Sequence, residues 1–158
     1  IQFVLPLAST LTDDDLAPWL NGCDLPITIT RERIHDLMRA CDTVISVSGT
    51  VTLEVALVGT PLVIIYKLSP ITFQLAKRLV KVEHIGLCNI VAGETVAKEL
   101  IQDDASPEQI AAEVGRLLSD APYNREIKKQ LSYVRERLGG GGADQRMANL
   151  VVSMAGQP

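Results

Sequence analysis

Val44-Ile45-Ser46-Val47-Ser48-Gly49-Thr50-Val51-Thr52-Leu53-Glu54-Val55-Ala56-Leu57-Val58-Gly59-Thr60-Pro61-Leu62-Val63-Ile64-Ile65-Tyr66 is the stretch that decides the fold. Residues 44–47 are a short β-branched run bounded by turn residues, which predicts a strand. Ser48-Gly49-Thr50 then turns into a helix, with a hydroxyl available as N-cap. Val51, Leu53, Val55, Leu57 and Val58 cover much of that helix, as a helix packed on a sheet requires. Gly59 ends it and Pro61 prevents its return. Leu62 to Ile65 is fully apolar, the pattern of a strand buried on both faces. Together they form one βαβ unit of a parallel sheet.

The first turn of that unit is where chemistry is expected. A helix N-terminus presents unpaired N–H groups and a partial positive charge, so it suits a phosphate. Gly49 has no Cβ and allows close approach. Thr50 and Glu54 stand at i and i+4 and share a face. A carboxylate at Glu54 repels phosphate but accepts hydrogen bonds from two ribose hydroxyls. Serine, glycine and threonine at a diphosphate, with Glu54 one turn on, describe a nucleotide-sugar site. The alternative is that Ser48 caps the helix and Glu54 is solvated. Both readings stand on these residues alone.

Outward from the stretch, Ile1 to Leu5 reads as a strand. Thr12-Asp13-Asp14-Asp15 suits a helix start, and a metal cluster is the rarer reading of three such acids. Pro26 to Ile29 is the next strand. Arg31 to Cys41 is helical, with Ile34, Leu37 and Met38 on one face. After Tyr66, Lys67, Lys77, Arg78 and Lys81 form a basic run with no acid among them, and Leu68, Ile71, Leu75 and Leu79 keep helical spacing. Lys67 directly follows a strand end, where open parallel sheets bind ligands, and reads as a diphosphate partner. For Lys77, Arg78 and Lys81 an ordinary surface helix is the commoner arrangement, and contact with an anion or an anionic membrane is the functional one. Asn89 to Glu94 reads as a connection, in which Asn89 either fixes a loop or reads a sugar or base. Thr95 to Gln102 reads as helical. Ser106 caps the next helix, Pro107 takes its first position and Gln109 completes a capping box. That helix runs to about Leu118. Another opens at Pro122 and ends near Leu138. Gly139 to Gly142 breaks the chain, and Ala143 to Met154 is a last amphipathic helix.

The 158 residues suffice for one domain with a real core. Hydrophobic residues make up 47% and aromatics only 4%, so the core must be aliphatic. A net charge of −4 argues against a general nucleic-acid role. No apolar run reaches membrane-spanning length, and no signal peptide is visible. Cys23, Cys41 and Cys88 show no metal spacing and read as reduced thiols of a cytoplasmic protein. His35 and His84 are isolated in sequence, and neither is expected as a ligand. The chain lacks an initiator methionine and enters its first strand abruptly, so a fragment is expected.

Ser48-Gly49-Thr50-Val51-Thr52-Leu53-Glu54 and Gly59 to Lys67 resemble the donor-site segment of the lipid-A-disaccharide synthase family. Pro70-Ile71-Thr72-Phe73-Gln74-Leu75-Ala76-Lys77-Arg78-Leu79-Val80-Lys81 is the most specific part of the likeness. Asn89-Ile90-Val91-Ala92-Gly93 and Lys98-Glu99-Leu100-Ile101-Gln102 complete it. The similarity is close over about residues 40–118. Cys88 departs from it, standing where family members usually have proline. The resemblance implies an α/β fold: a three-layer Rossmann-like domain with a central parallel sheet, one half of a GT-B glycosyltransferase. Residues 1–138 are expected to form the UDP-sugar domain, and 139–158 a glycine linker and crossing helix. The family transfers diacyl-glucosamine from its UDP donor to diacyl-glucosamine 1-phosphate, on the cytoplasmic face of the inner membrane. Donor contacts are expected from Ser48, Gly49, Thr50, Glu54, Tyr66, Lys67 and Asn89. The catalytic base is expected in the N-terminal half, so this chain alone should bind nucleotide weakly and catalyse nothing. No metal or other cofactor is expected, because cations and a helix N-terminus offset the diphosphate charge. Expected partners are the two lipid substrates, the N-terminal domain, the membrane surface and a second copy. A non-catalytic nucleotide-binding module and half of a related epimerase are the alternatives on the same fold.

Overall fold

β-branched and aliphatic residues in short runs, separated by helical periods, build five strands and seven α-helices among the residues described. The computed structural model describes residues 1–70, 72–73 and 83–156. In chain order the elements are β1 (Phe3–Pro6), α1 (Asp13–Leu20), β2 (Ile27–Thr30), α2 (Ile34–Ala40), β3 (Val44–Val47) and α3 (Thr50–Val58). β4 (Leu62–Tyr66), α4 (Leu87–Ala92), β5 (Lys98–Ile101), α5 (Pro107–Ser119), α6 (Ala121–Leu138) and α7 (Ala143–Ala155) follow. Every strand pair is parallel: β1 with β2, β3 with β4, and β4 with β5. The chain is thus an α/β domain of the Rossmann-like kind, as its alternating pattern implies.

β4 explains the layering. Its residues alternate between two faces, as any strand's must. Leu62 and Ile64 join Met38, Val55, Ala56, Cys88, Ala92, Leu131 and Val134 in the main core, beneath α2, α3, α4 and α6. Val63 and Ile65 face the other way and pack with Leu100, Ala105, Ile110 and Val114, beneath α5. Helices on both faces of a parallel sheet account for the unbroken apolar run at 62–65. Gly59 ends α3 at φ 83°, a left-handed conformation, and its N–H and that of Thr60 close onto the carbonyls of Val55 and Ala56. Thr60 is buried, and its hydroxyl donates to the carbonyl of Met38 at 2.7 Å, tying α2 to the turn before β4.

Three local expectations are corrected. Residues 89–92 belong to a helix, α4, rather than to a connection. Residues 98–101 are a strand, β5, rather than a helix, because Lys98 to Ile101 pair in register with Val63 to Tyr66. Ser106 does cap α5, accepting from the N–H of Gln109 at 3.3 Å, but the Gln109 side chain reaches Asp104 instead of closing a box. The acids at 13–15 behave as a helix start: Asp15 accepts from the N–H of Thr12 at 2.8 Å, and Asp13 pairs with Arg31 at 2.7 Å.

The sheet itself is divided. β1–β2 forms one ladder and β3–β4–β5 another, with no pairing between them among the described residues. The first unit also buries little. Of residues 1–33, only Leu7 is fully buried; α1 buries nothing and Trp19 is 82% exposed. α7, after the glycine run, likewise buries none of its side chains.

Candidate functional site

The carboxyl ends of β3 and β4 lie side by side, and the Ser48-Gly49-Thr50 turn leads from the first of them into α3, with the N–H of Ser48 donating to the Ile65 carbonyl at 3.4 Å. Gly49 precedes α3 in an extended conformation, and a Cβ placed on it meets nothing within 4 Å. The space above the turn is therefore open. No side chain caps the helix, and the N–H groups of Gly49, Thr50 and Val51 bond to nothing among the described residues. Unpaired N–H groups at the positive end of a helix are an arrangement that suits an anion.

Ser48 does not cap. Its hydroxyl donates to the carbonyl of Ile85 at 2.7 Å, 37 residues away in sequence. The cap reading of this serine is thereby corrected: its hydroxyl is spent as a donor to a loop from beyond β4, and its oxygen accepts from no N–H of the helix start among the described residues. Thr52, fully buried, donates to the carbonyl of Gly49 at 2.8 Å and accepts from the N–H of Leu87 at 3.1 Å. The turn before α3 and the start of α4 are thus fastened together.

Asn89 takes the loop-fixing alternative. It is fully buried. Its Oδ1 accepts from the N–H groups of Val96 and Ala97, both at 2.9 Å, and its Nδ2 donates to the Ala97 carbonyl at 2.7 Å and to Glu99 at 2.8 Å. With both amide atoms engaged, its side chain has no free group for a ligand. Cys88, beside it, lies in the first turn of α4, where proline is also tolerated. Burial pushes its thiol up to about 11.

Glu54 stands one turn into α3, partly exposed, with Oε2 3.1 Å from Nε2 of His35 on α2. Sequence reading left His35 isolated, because nothing local announces a pair formed across two helices 19 residues apart. Tyr66 closes β4 half-buried, and Lys67 follows it exposed. The backbone just beyond is held by Gln102, whose Oε1 accepts from the N–H of Leu68 at 2.6 Å and whose Nε2 donates to the Leu68 carbonyl at 3.1 Å. Nothing in the local sequence announces this role of Gln102, whose backbone takes a left-handed φ of 56°. Lys77, Arg78 and Lys81 lie outside the described residues. No helix among the described residues is long and apolar enough to cross a membrane.

Comparison with known proteins bears on what this arrangement serves. The model of the lipid-A-disaccharide synthetase family matches residues 1–151. The chain is 82% identical over 157 residues to the lipid-A-disaccharide synthase of Trichlorobacter lovleyi, covering 99% of this chain and 41% of that protein. It is 57% identical over 157 residues to the enzyme of the same name from Geobacter sulfurreducens, with the same coverage of 99% and 41%. Against that of Nitrosococcus oceani it is 49% identical over 154 residues, covering 98% and 40%. The chain therefore spans about two fifths of the length of these curated relatives.

Proposed function

This chain belongs to the lipid-A-disaccharide synthetase family, and on that premise we propose that it is the donor-binding half of a glycosyltransferase of lipid A biosynthesis. The donor is UDP-diacyl-glucosamine and the acceptor diacyl-glucosamine 1-phosphate, with UDP released. The observation that carries this reading is the turn at 48–50. Free N–H groups at a helix start, open space over Gly49 and a carboxylate one turn away combine a diphosphate seat with a ribose acceptor. Both lie outside the carboxyl ends of parallel strands, where such sheets bind ligands.

Each part has a role in this reading. The N–H groups at 49–51 and the ammonium of Lys67 offset the diphosphate charge that grows on the leaving group, which assists departure. Glu54 accepts from the ribose hydroxyls, oriented by His35. Tyr66 lines the end of β4 beside Lys67. Asn89 acts through the backbone it fixes at residues 96–97, just ahead of β5. In-line attack needs a base within reach of the acceptor hydroxyl; that group is assigned to the remainder of the enzyme, as are the acyl pockets. Residues 139–158 serve as a linker and crossing helix toward that remainder. The basic positions Lys77, Arg78 and Lys81 are assigned to the anionic surface of the cytoplasmic leaflet.

Calorimetric titration of the chain with UDP and with ADP tests the site. UDP is expected to bind, weakly, and more tightly than ADP. Glu54→Gln is expected to weaken UDP by about tenfold, since one charge-assisted hydrogen bond is worth roughly 1.5 kcal/mol or more. Undiminished UDP binding by that variant would remove the ribose role.

A further inference from the structure

Glu99 belongs to no expected part of the site, yet it holds the backbone of Ile85, whose other side is held by the donor turn. Its Oε1 accepts from the N–H of Gly86 at 2.9 Å and from Nδ2 of Asn89 at 2.8 Å. Both carboxylate oxygens face the N–H of Ile85, at 3.2 and 3.0 Å. The carbonyl of the same Ile85 accepts from the Ser48 hydroxyl at 2.7 Å. One residue is therefore gripped from both sides: β5 holds its N–H and the turn before α3 holds its C=O.

The grip has little slack. A Cβ on Gly86 would collide with the Ile64 side chain, so the backbone there lies directly on β4. Thr52 holds the N–H of Leu87 from the α3 side. Ile85 is the link by which the position of β5 reaches the hydroxyl of Ser48 and the N–H groups that follow it.

We infer that Glu99 is a positioning residue for the nucleotide donor, acting through Ile85 to fix the Ser48-Gly49-Thr50 turn. It touches no substrate. A carboxylate is needed because three N–H donors point at one side chain, which must offer acceptors only. An amide in its place has a single acceptor oxygen and turns an NH2 toward N–H groups that cannot accept it. Ile85 is then released, Ser48 loses its partner, and the N–H groups at 49–51 lose their fixed direction toward the diphosphate. The inference rests on the donor-site reading above.

The test uses the complete enzyme carrying this sequence. Glu99→Gln is expected to raise the donor KM about tenfold, roughly the loss of one charge-assisted hydrogen bond, with the acceptor KM unchanged. Ser48→Ala, which opens the other side of the grip, is expected to do the same. The double variant should fall well short of the product of the two, because both act through one residue. A folded Glu99→Gln enzyme with unchanged donor KM overturns the inference. Where Glu99→Gln does not fold, Glu99→Asp combined with Ser48→Ala decides: less than multiplicative effects support it and fully multiplicative effects overturn it. If Glu54→Gln weakens UDP while the Glu99 variants do not, only this inference fails. If neither does, the donor-site reading fails with it.

Discussion

A single side chain in this domain often serves two elements, and its chemistry follows from which of them it serves. Glu54 offers one oxygen to His35 and lies on the face of α3 that carries Thr50. The pair is exposed enough that its contribution to stability is small, about 0–1 kcal/mol, so His35→Gln should leave the unfolding midpoint nearly unchanged while altering donor affinity. Thermal unfolding and UDP titration of that one variant separate the two effects. Cys88 is fully buried and its thiol is pushed up to about 11, whereas Cys23 is exposed. Because the thiolate is the reactive species, iodoacetamide at pH 8 should label Cys23 and leave Cys88 unmodified, as peptide mapping would reveal. Tyr123 behaves similarly as an acid. Burial, then its hydrogen bond to Glu113 at 2.7 Å, pushes its hydroxyl up to about 12. The unfolded chain loses that proton near pH 10. The stabilisation is therefore whole below about pH 10 and disappears as pH rises through about 12. The urea midpoint should fall over that window, and Tyr123→Phe should flatten the fall.

At the scale of elements, close approach rather than propensity fixes the start of α4. Gly86 lies against Ile64, so Gly86→Ala forces one of them to move. Overpacking of this kind costs about 1–3 kcal/mol, and a lowered denaturation midpoint with intact far-UV circular dichroism is the expected result. α7 presents the opposite case. It buries no side chain, so removing residues 143–158 should shift the melting temperature of the chain by little more than a degree or so, given that about 1 kcal/mol shifts Tm by ~2–8 °C depending on domain size. The same contrast explains what could be read before the fold was known. β3, α3 and β4 were legible because their residues carry the signals locally: β-branched runs, Gly59 at a left-handed end, Pro61 behind it. β5 was not, because Lys98-Glu99-Leu100-Ile101 has no strong preference and becomes a strand only by pairing with β4. α4 was hidden by its six-residue length, too short for a helical period to declare itself. In the site, the turn at 48–50 was legible from its residue types. The partners of Ser48, Asn89 and Glu54 were not, since each bond crosses from one element to another that sequence distance conceals.

Across the whole molecule, the main core is continuous from α2 to α6, and Arg137 of α6 closes it by donating to the Ala92 carbonyl at the end of α4 at 2.8 Å. β1–α1–β2 contributes little to that core, and unfolding should therefore be staged. Amide exchange is expected to be fastest in residues 1–31 and slowest in β4 and on the inner face of α6, where Leu62, Val63, Ile64, Leu131 and Val134 are fully buried. Uniform protection along the chain would contradict this. The division of the sheet has a further effect, on handling rather than on binding. Two ladders expose four strand edges where one sheet would expose two. Each bare edge is a row of amide groups ready to template a foreign strand. β5 is guarded by Lys98 and β1 by Pro6. β2 and β3 have neither charge nor proline, and β3 is the more apolar, its Ile45 and Val47 50% and 59% exposed. Storage life of the purified chain should thus be governed by its concentration, with fibrillar or amorphous association starting at β3. Ile45→Lys, a single gatekeeper charge, should raise the concentration at which light scattering still reports one species.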